Sequence, residues 1–462
     1  MTSFDSYQSP FSWRYGSPEM RQIWGEENKR RLWRRLWVVM AETQIGWNLV
    51  TPAQLQELKH NEANVDLQKA LDIEKSIHHD LMAELKVFAG QCPTAGGVIH
   101  LGATSMDIKD NAEVLQIAQS LDLLLERSRV LLGILADRII QYASTPVMAF
   151  THLQPAEPTT LGYRLANFGQ DLLQDYQNLY QARNTLKGKG FKGAVGNAAS
   201  YHMLYGEDGA IKFEQVISEK LNLPFYSIAT QTYTRKQDYS ILTTLSSLAA
   251  TAYKFAFDLR LLQSETIGEL AEPFGAEQVG SSAMPFKRNP ILCEKIDSLA
   301  RSLSAAPVIA WNNYAHSLLE RTLDDSANRR SLFPESFLAV DEILLTLIHI
   351  LENLQVKPAA IHRTIQQFGP FSAIERILMA AVQNGANRQA IHERLRQLSM
   401  QAWESVQAGA NNPLVELVLQ DAEIAHWVDR ETVQDMFDVE GYTGRAERLS
   451  QEMAQTIHQQ IS

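Results

Sequence analysis

Apolar positions along much of the chain recur at alternating steps of three and four residues. From Leu242 they run through Leu245, Ala249, Ala252, Ala256 and Leu259, which is one buried stripe of a helix. A second stripe runs Val114, Ile117, Leu121, Leu124, Leu131 and Leu135, behind Asp110 and Asn111 as capping candidates. The same spacing predicts helices near 157–187, 291–318 and 335–354, each longer than the usual three or four turns. Period-two alternation is scarce. Helices this long bury their stripes best against each other, so the pattern predicts an all-α fold with an extended central bundle. Two interruptions divide it: residues 93–104, Pro-Thr-Ala-Gly-Gly-Val-Ile-His-Leu-Gly-Ala-Thr, and the turn at Val356-Lys357-Pro358. They predict three helical domains, 1–103, 104–355 and 356–462.

Composition narrows the picture. The length of 462 residues calls for more than one core, and 45% hydrophobic content is that of a folded chain. No stretch approaches the roughly 20 apolar residues of a membrane helix, and the opening Met-Thr-Ser-Phe-Asp-Ser-Tyr has neither the basic nor the apolar region of a secretory signal. Cys92 and Cys293 lie far apart, against a disulfide framework or a zinc cluster. A cytoplasmic protein is expected. The net charge of −11 repels nucleic acid and anionic membranes, yet Lys287, Arg288, Arg321, Arg329 and Arg330 crowd into two short segments. That contrast predicts a small anionic substrate.

Four polar stretches break the helical text. Residues 280–290 read Gly-Ser-Ser-Ala-Met-Pro-Phe-Lys-Arg-Asn-Pro. Gly280 can take positive φ, and Pro285 and Pro290 bar a helix. A mobile loop carrying the Ser281 and Ser282 hydroxyls beside Lys287 and Arg288 suits proton abstraction from a carbon whose charge spreads into a carboxylate. The plainer alternative is a solvated Ser-rich turn. His100-Leu-Gly-Ala-Thr-Ser105 fits a turn with an N-capping hydroxyl. In Phe150-Thr-His-Leu-Gln-Pro-Ala156, Pro155 is expected to start a helix, leaving His152 at its N-terminus, where the neutral imidazole is favoured. In Glu320-Arg-Thr-Leu-Asp-Asp-Ser-Ala-Asn-Arg-Arg330, Arg321, Ser326 and Arg330 suit a carboxylate or phosphate; the alternative is a solvated helix start in which Asp324 and Asp325 pair with Arg329. Gly188-Lys-Gly190-Phe-Lys-Gly193 spells a dinucleotide fingerprint but follows a helix instead of a strand, so that reading is rejected. His78-His79-Asp80 lacks the further acidic or Cys ligands that a metal would need.

These stretches resemble the fumarase/aspartase superfamily of lyases. Ala-Met-Pro-Phe-Lys-Arg-Asn-Pro in the loop resembles the adenylosuccinate lyases, as do the opening Ser-Pro-x-x-x-Arg14-Tyr15-x-Ser-Pro-Glu-Met and the closing Tyr442-Thr-Gly-Arg-Ala446. Glu320–Arg330 is similar to the branch that includes animal enzymes. The resemblance implies a cofactor-free, metal-free β-elimination that releases fumarate, with Ser281 as general base, His152 as general acid and Lys287 supporting the carboxylate charge. It implies that Glu294 orients His152 from another subunit of a homotetramer. It places substrate contacts on Arg14, Tyr15, His79, Asp80, Thr104, Ser105, Gln231, Arg321, Ser326 and Arg330. Two positions depart from that pattern: Lys295 stands where many relatives have Arg, which loses the bidentate fork, and His78 stands where a permanent cation is common, which makes phosphate affinity there depend on pH. Sibling lyases such as argininosuccinate lyase or fumarase are the nearest rivals. A non-catalytic helical tetramer is the rival from another class, against which the retained Ser281, His152, Lys287 and Glu294 speak.

Overall fold

The computed structural model describes residues 5–462 and is dominated by helices. The longest, Ser105–Gln141, has 37 residues and so a length of about 55 Å. Leu161–Asn184, Lys236–Gln263, Ile291–Ala315 and Ser326–Glu352 are the other long ones on the central stretch. Both stripes read from the sequence are buried along their whole length, from Leu242 to Leu259 and from Val114 to Leu135. The all-α expectation holds, with two small two-stranded antiparallel sheets as the strands among the described residues. No described helix is long and apolar enough to cross a membrane.

Internal contacts group the described residues into two units. One comprises the chain up to Ser128, Asp175–Ala250 and Ser298–Leu345; the other comprises Arg129–Gln174, Thr251–Asp297 and Thr346–Ser462. Each of the five long helices is therefore cut by a unit boundary. In the first unit a core of aromatic and aliphatic side chains, including Trp33, Trp37, Phe88, Phe191, Tyr201 and Phe213, is buried. In the second, Ile377, Leu395, Leu414, Ile424 and Val433 belong to a separate core built by the 26-residue helix Pro358–Gln383 and the shorter helices after it.

The sequence reading misplaces several helix starts: Asp110 and Asn111, expected as caps, lie inside Ser105–Gln141, and the helix expected near 335–354 begins at Ser326. Leu161–Asn184 begins six residues after Pro155, and Pro155 and Pro158 lie in a strand, Gln154–Thr160, paired with Pro146–Thr151. Proline is tolerated there because the ribbon has only two strands, so each strand has an edge on which no N–H is required.

Close packing at the turn into that helix gives a stability test. A Cβ on Gly162 would lie 2.6 Å from both Ala143 Cα and the Ile139 carbonyl oxygen, backbone atoms that cannot step aside. Exposed Gly90, inside the helix Asp80–Gln91, has nothing within 4 Å of its missing Cβ. Gly162→Ala should cost about 2–3 kcal/mol or more, whereas Gly90→Ala should gain about 0.5–1 kcal/mol. Thermal melts of the two proteins should move in opposite directions; parallel shifts would refute this account of the packing.

Candidate active site

In the first unit, His79 caps the helix Asp80–Gln91 by accepting a hydrogen bond from the Met82 amide at Nδ1, 3.3 Å. Its Nε2 then faces Ser105 Oγ at 3.4 Å. Asp80 is buried and accepts from the Leu81 amide (2.7 Å), from Lys109 Nζ (2.8 and 3.0 Å) and from Arg330 Nη2 (3.0 Å). Burial alone would raise its pKa. The Lys109 charge and hydrogen bonds, the amide and Arg330 together outweigh burial and hold the carboxyl well below the usual range.

The 320s segment joins the same cleft. Arg321 donates to Asp325 Oδ1 at 2.8 Å, and Asp325 Oδ2 accepts from the buried Arg235 at 2.8 Å. Arg329 is taken up elsewhere: it binds Asp238 (2.8 Å), Glu113 (2.8 Å) and the Tyr233 hydroxyl (2.7 Å). The local partner of Asp325 is thus Arg321, and the expected pairing with Arg329 gives way to longer-range bonds. The cleft holds about 810 Å³, its open mouth included, and is lined by Lys29, Asp80, Lys109, Arg321, Ser326 and Arg330 among others. Its cations suit an anionic ligand.

Of the expected substrate contacts, Asp80, Arg321, Ser326 and Arg330 line this cleft. His79 and Ser105 touch each other beside it, and Thr104 directly precedes Ser105. Gln231 reaches the 320s segment through its amide, which donates to the Glu320 carbonyl at 3.2 Å. Arg14, Tyr15 and His78 are not among its lining residues. Arg14 is exposed, its guanidinium 5.8 Å from the rings of Trp13 and Tyr15. His78 is exposed and ends the helix Leu67–Ile77 in the left-handed conformation, φ +54°. Lys29 and Lys109 escaped the sequence reading. Lys109, one turn into the helix that Ser105 opens, carried the better signal.

In the second unit, His152 and Leu153 form the tip of the hairpin, both with positive φ (+53° and +61°). A two-residue hairpin turn normally places Asn or Gly at such positions. Two side-chain-bearing residues there hold backbone strain of about 1–3 kcal/mol each, a feature concentrated at functional sites. His152 is exposed. The helix expected to start beside it begins only at Leu161, so His152 is not at a helix N-terminus.

The Ser-Ser loop runs between the short strand Leu270–Ala271 and the helix Ile291–Ala315. Gly280 is needed there for a close approach and does not adopt positive φ: a Cβ would lie 2.1 Å from the Lys287 carbonyl oxygen. Ser281 Oγ accepts from the amides of Ala283 (3.3 Å) and Met284 (3.1 Å). Residues 282–288 are exposed, Lys287 among them. Both stems are fastened. Glu272, buried, accepts from the Leu292 and Cys293 amides at 3.0 and 2.9 Å, and Gln263 bonds both the Glu272 amide and the Arg288 carbonyl. Glu294 lies in the first turn of the following helix, 3.8 Å from Arg260, and the partly buried Lys295 follows it. Among the described residues, no group of three or more His, Cys, Asp or Glu side chains is placed to hold a metal.

Comparison with known proteins adds the family. Residues 17–303 match the family described as Lyase, and residues 370–453 match that described as Adenylosuccinate lyase C-terminus. The chain is 41% identical over 429 residues to the adenylosuccinate lyase of Saccharomyces cerevisiae, covering 91% of this chain and 89% of that one. The adenylosuccinate lyase of Pyrococcus horikoshii is 33% identical, with coverage of 97% and 98%. Among solved structures, the 3-carboxy-cis,cis-muconate lactonizing enzyme from Pseudomonas putida superposes with a TM-score of 0.88 at 22% identity, over 99% of this chain and 100% of that one; it speaks for the fold alone. By the two family matches and by near-full-length identity to its relatives, the chain belongs to the adenylosuccinate lyase family.

Proposed function

We propose that the protein is a cofactor-independent carbon–nitrogen lyase of purine nucleotide biosynthesis. It releases fumarate from adenylosuccinate, leaving AMP, and from the succinylated aminoimidazole carboxamide ribotide, leaving AICAR. The observation that carries this reading is 41% identity across 91% of the chain to an adenylosuccinate lyase, in a sequence that has Ser281, His152 and Lys287 at the positions the resemblance implies. The cleft supports it through its lysine and arginine side chains, which suit a phosphorylated, carboxylated ligand.

In the proposed reaction Ser281 takes the proton from the succinyl carbon beside a carboxylate. The released electron pair spreads into that carboxylate, where Lys287 stabilises the added charge. The pair then forms the carbon–carbon double bond as the carbon–nitrogen bond breaks, and His152 protonates the departing nitrogen. A serine is a poor base in water. The two amides directed at Ser281 Oγ favour its anionic form, and loop closure removes competing water. Substrate is held by Arg14, Tyr15, His78, His79, Asp80, Thr104, Ser105, Gln231, Lys295, Arg321, Ser326 and Arg330.

The proposal includes a cytoplasmic homotetramer whose sites are shared, with Glu294 of one subunit orienting His152 of another. Exposed apolar side chains on the helix Ile291–Ala315, such as Val308, Trp311 and Tyr314, support burial in an assembly. It also retains the three-domain division at 103/104 and 355/356, supported by helix starts at Ser105 and Pro358.

Purified protein should release fumarate, read as ultraviolet absorbance, from both succinylated nucleotides and not from argininosuccinate. Ser281→Ala should lower kcat by about 10²–10⁴-fold with substrate binding retained; a variant that keeps most of its kcat would exclude Ser281 as the base. Mixing His152→Ala and Ser281→Ala subunits should restore part of the activity, and hybrids shown to form without any recovery would rule out shared sites. His78→Arg, which offers phosphate a forked cation, should lower KM and leave kcat alone; an unaltered KM would remove His78 from the phosphate contacts.

A further inference from the structure

The segment Gly188–Gly193, whose letters mimic a nucleotide-binding loop, is wrapped round the first turns of the helix that Ser105 opens. The Asn111 side chain bonds both backbone groups of Gly190, donating to its carbonyl at 3.0 Å and accepting from its amide at 3.1 Å. A Cβ on Gly188 would lie 2.5 Å from Asn111 Oδ1, so a larger residue there would displace the clamp. Asp107, wholly buried, is the centre of the arrangement. Its carboxylate accepts from the amides of Lys192 (3.3 Å) and Gly193 (3.2 Å), from the Tyr201 hydroxyl (3.1 Å) and from the equally buried Lys189 ammonium. The same carboxylate accepts from the Thr104 amide at 3.0 Å, while the Asp107 amide donates back to the Thr104 carbonyl at 3.0 Å. Ser200 Oγ adds a bond to the Gly102 carbonyl at 2.7 Å.

We propose that Asp107, held by Lys189 and Tyr201, is a positioning residue that fixes the Thr104–Ser105 turn for substrate, with Gly188–Gly193 as its clamp. This rests on the reading of Thr104 and Ser105 as substrate contacts. Every donor on Asp107 other than Thr104 comes from Lys189–Tyr201, so the carboxylate transmits the place of that segment to the turn. A turn held on both its amide and its carbonyl presents its hydroxyls in one orientation, which lowers the entropic cost of binding. A buried carboxylate next to an ammonium needs both the charge and the further donors to be satisfied, which explains why so many donors converge on one side chain.

Two variants and one background test it. Tyr201→Phe removes a single donor from the Asp107 oxygen that also receives the Thr104 amide, and it leaves the ion pair in place. It should raise KM for adenylosuccinate about three- to tenfold with kcat changed less than about twofold. Lys189→Met should act in the same direction and more strongly; should it fail to fold, Tyr201→Phe decides alone. In protein already carrying Thr104→Val and Ser105→Ala, Tyr201→Phe should no longer raise KM, because coupled changes are not additive. Melting temperatures are recorded for all. An equal rise of KM in both backgrounds, or a lowered melting temperature with KM unmoved, would overturn the positioning role and leave a purely structural clamp. If Thr104→Val/Ser105→Ala itself changed neither KM nor kcat, the substrate-contact reading would fall instead, taking the positioning role with it.

Discussion

A buried arginine holds the cleft of the first unit together. Arg235 forks onto Asp110 at 3.0 and 3.3 Å and reaches Asp325 at 2.8 Å, with its guanidinium 4.6 Å from the Tyr233 ring centre. Asp110 belongs to the helix Ser105–Gln141, Asp325 to the 320s segment, and the second oxygen of Asp325 holds Arg321. Burial would raise the Asp325 pKa, yet Arg235, Arg329 and Arg321 together lower it. Such a cluster contributes little net stability, because the desolvation of each charge offsets most of the attraction. Its value lies in geometry. Removing one partner would cost about 3–5 kcal/mol, so Arg321 and Ser326 are held where the cleft needs them by an arrangement that cannot be partly made.

The helices were legible because a buried stripe leaves a period in the sequence, and both stripes named from the pattern are buried at every position. The hairpin was not. Pro155 reads as a helix start when only local chemistry is weighed, and nothing local says that Phe150 will pair with it across a two-residue turn. The polar stretches were recognisable as chemistry, but their partners were not. The bond from Asp80 to Arg330 spans 250 positions, and the Lys189–Asp107 pair spans 82. Gly188–Gly193 shows both sides: the helix before it sets it apart from a nucleotide loop, while its bonds to Asp107 and Asn111 could be seen only once the helix that starts at Ser105 was in place. His78 and Arg14, expected as contacts on resemblance, lie outside the cleft lining.

The fastened stems of the Ser-Ser loop have a further consequence. Because Glu272 caps the helix after the loop and Gln263 spans both ends, the chain between Glu272 and Leu292 begins and ends at fixed points. The entropy of closing such a loop grows only logarithmically with its length, about 0.6 kcal/mol for each doubling. Inserting or deleting a residue would thus leave melting behaviour almost untouched while changing where along the arc Ser281 falls. Loop length therefore acts as a ruler for the hydroxyl proposed as the base, and a change in it should be felt in turnover before it is felt in folding.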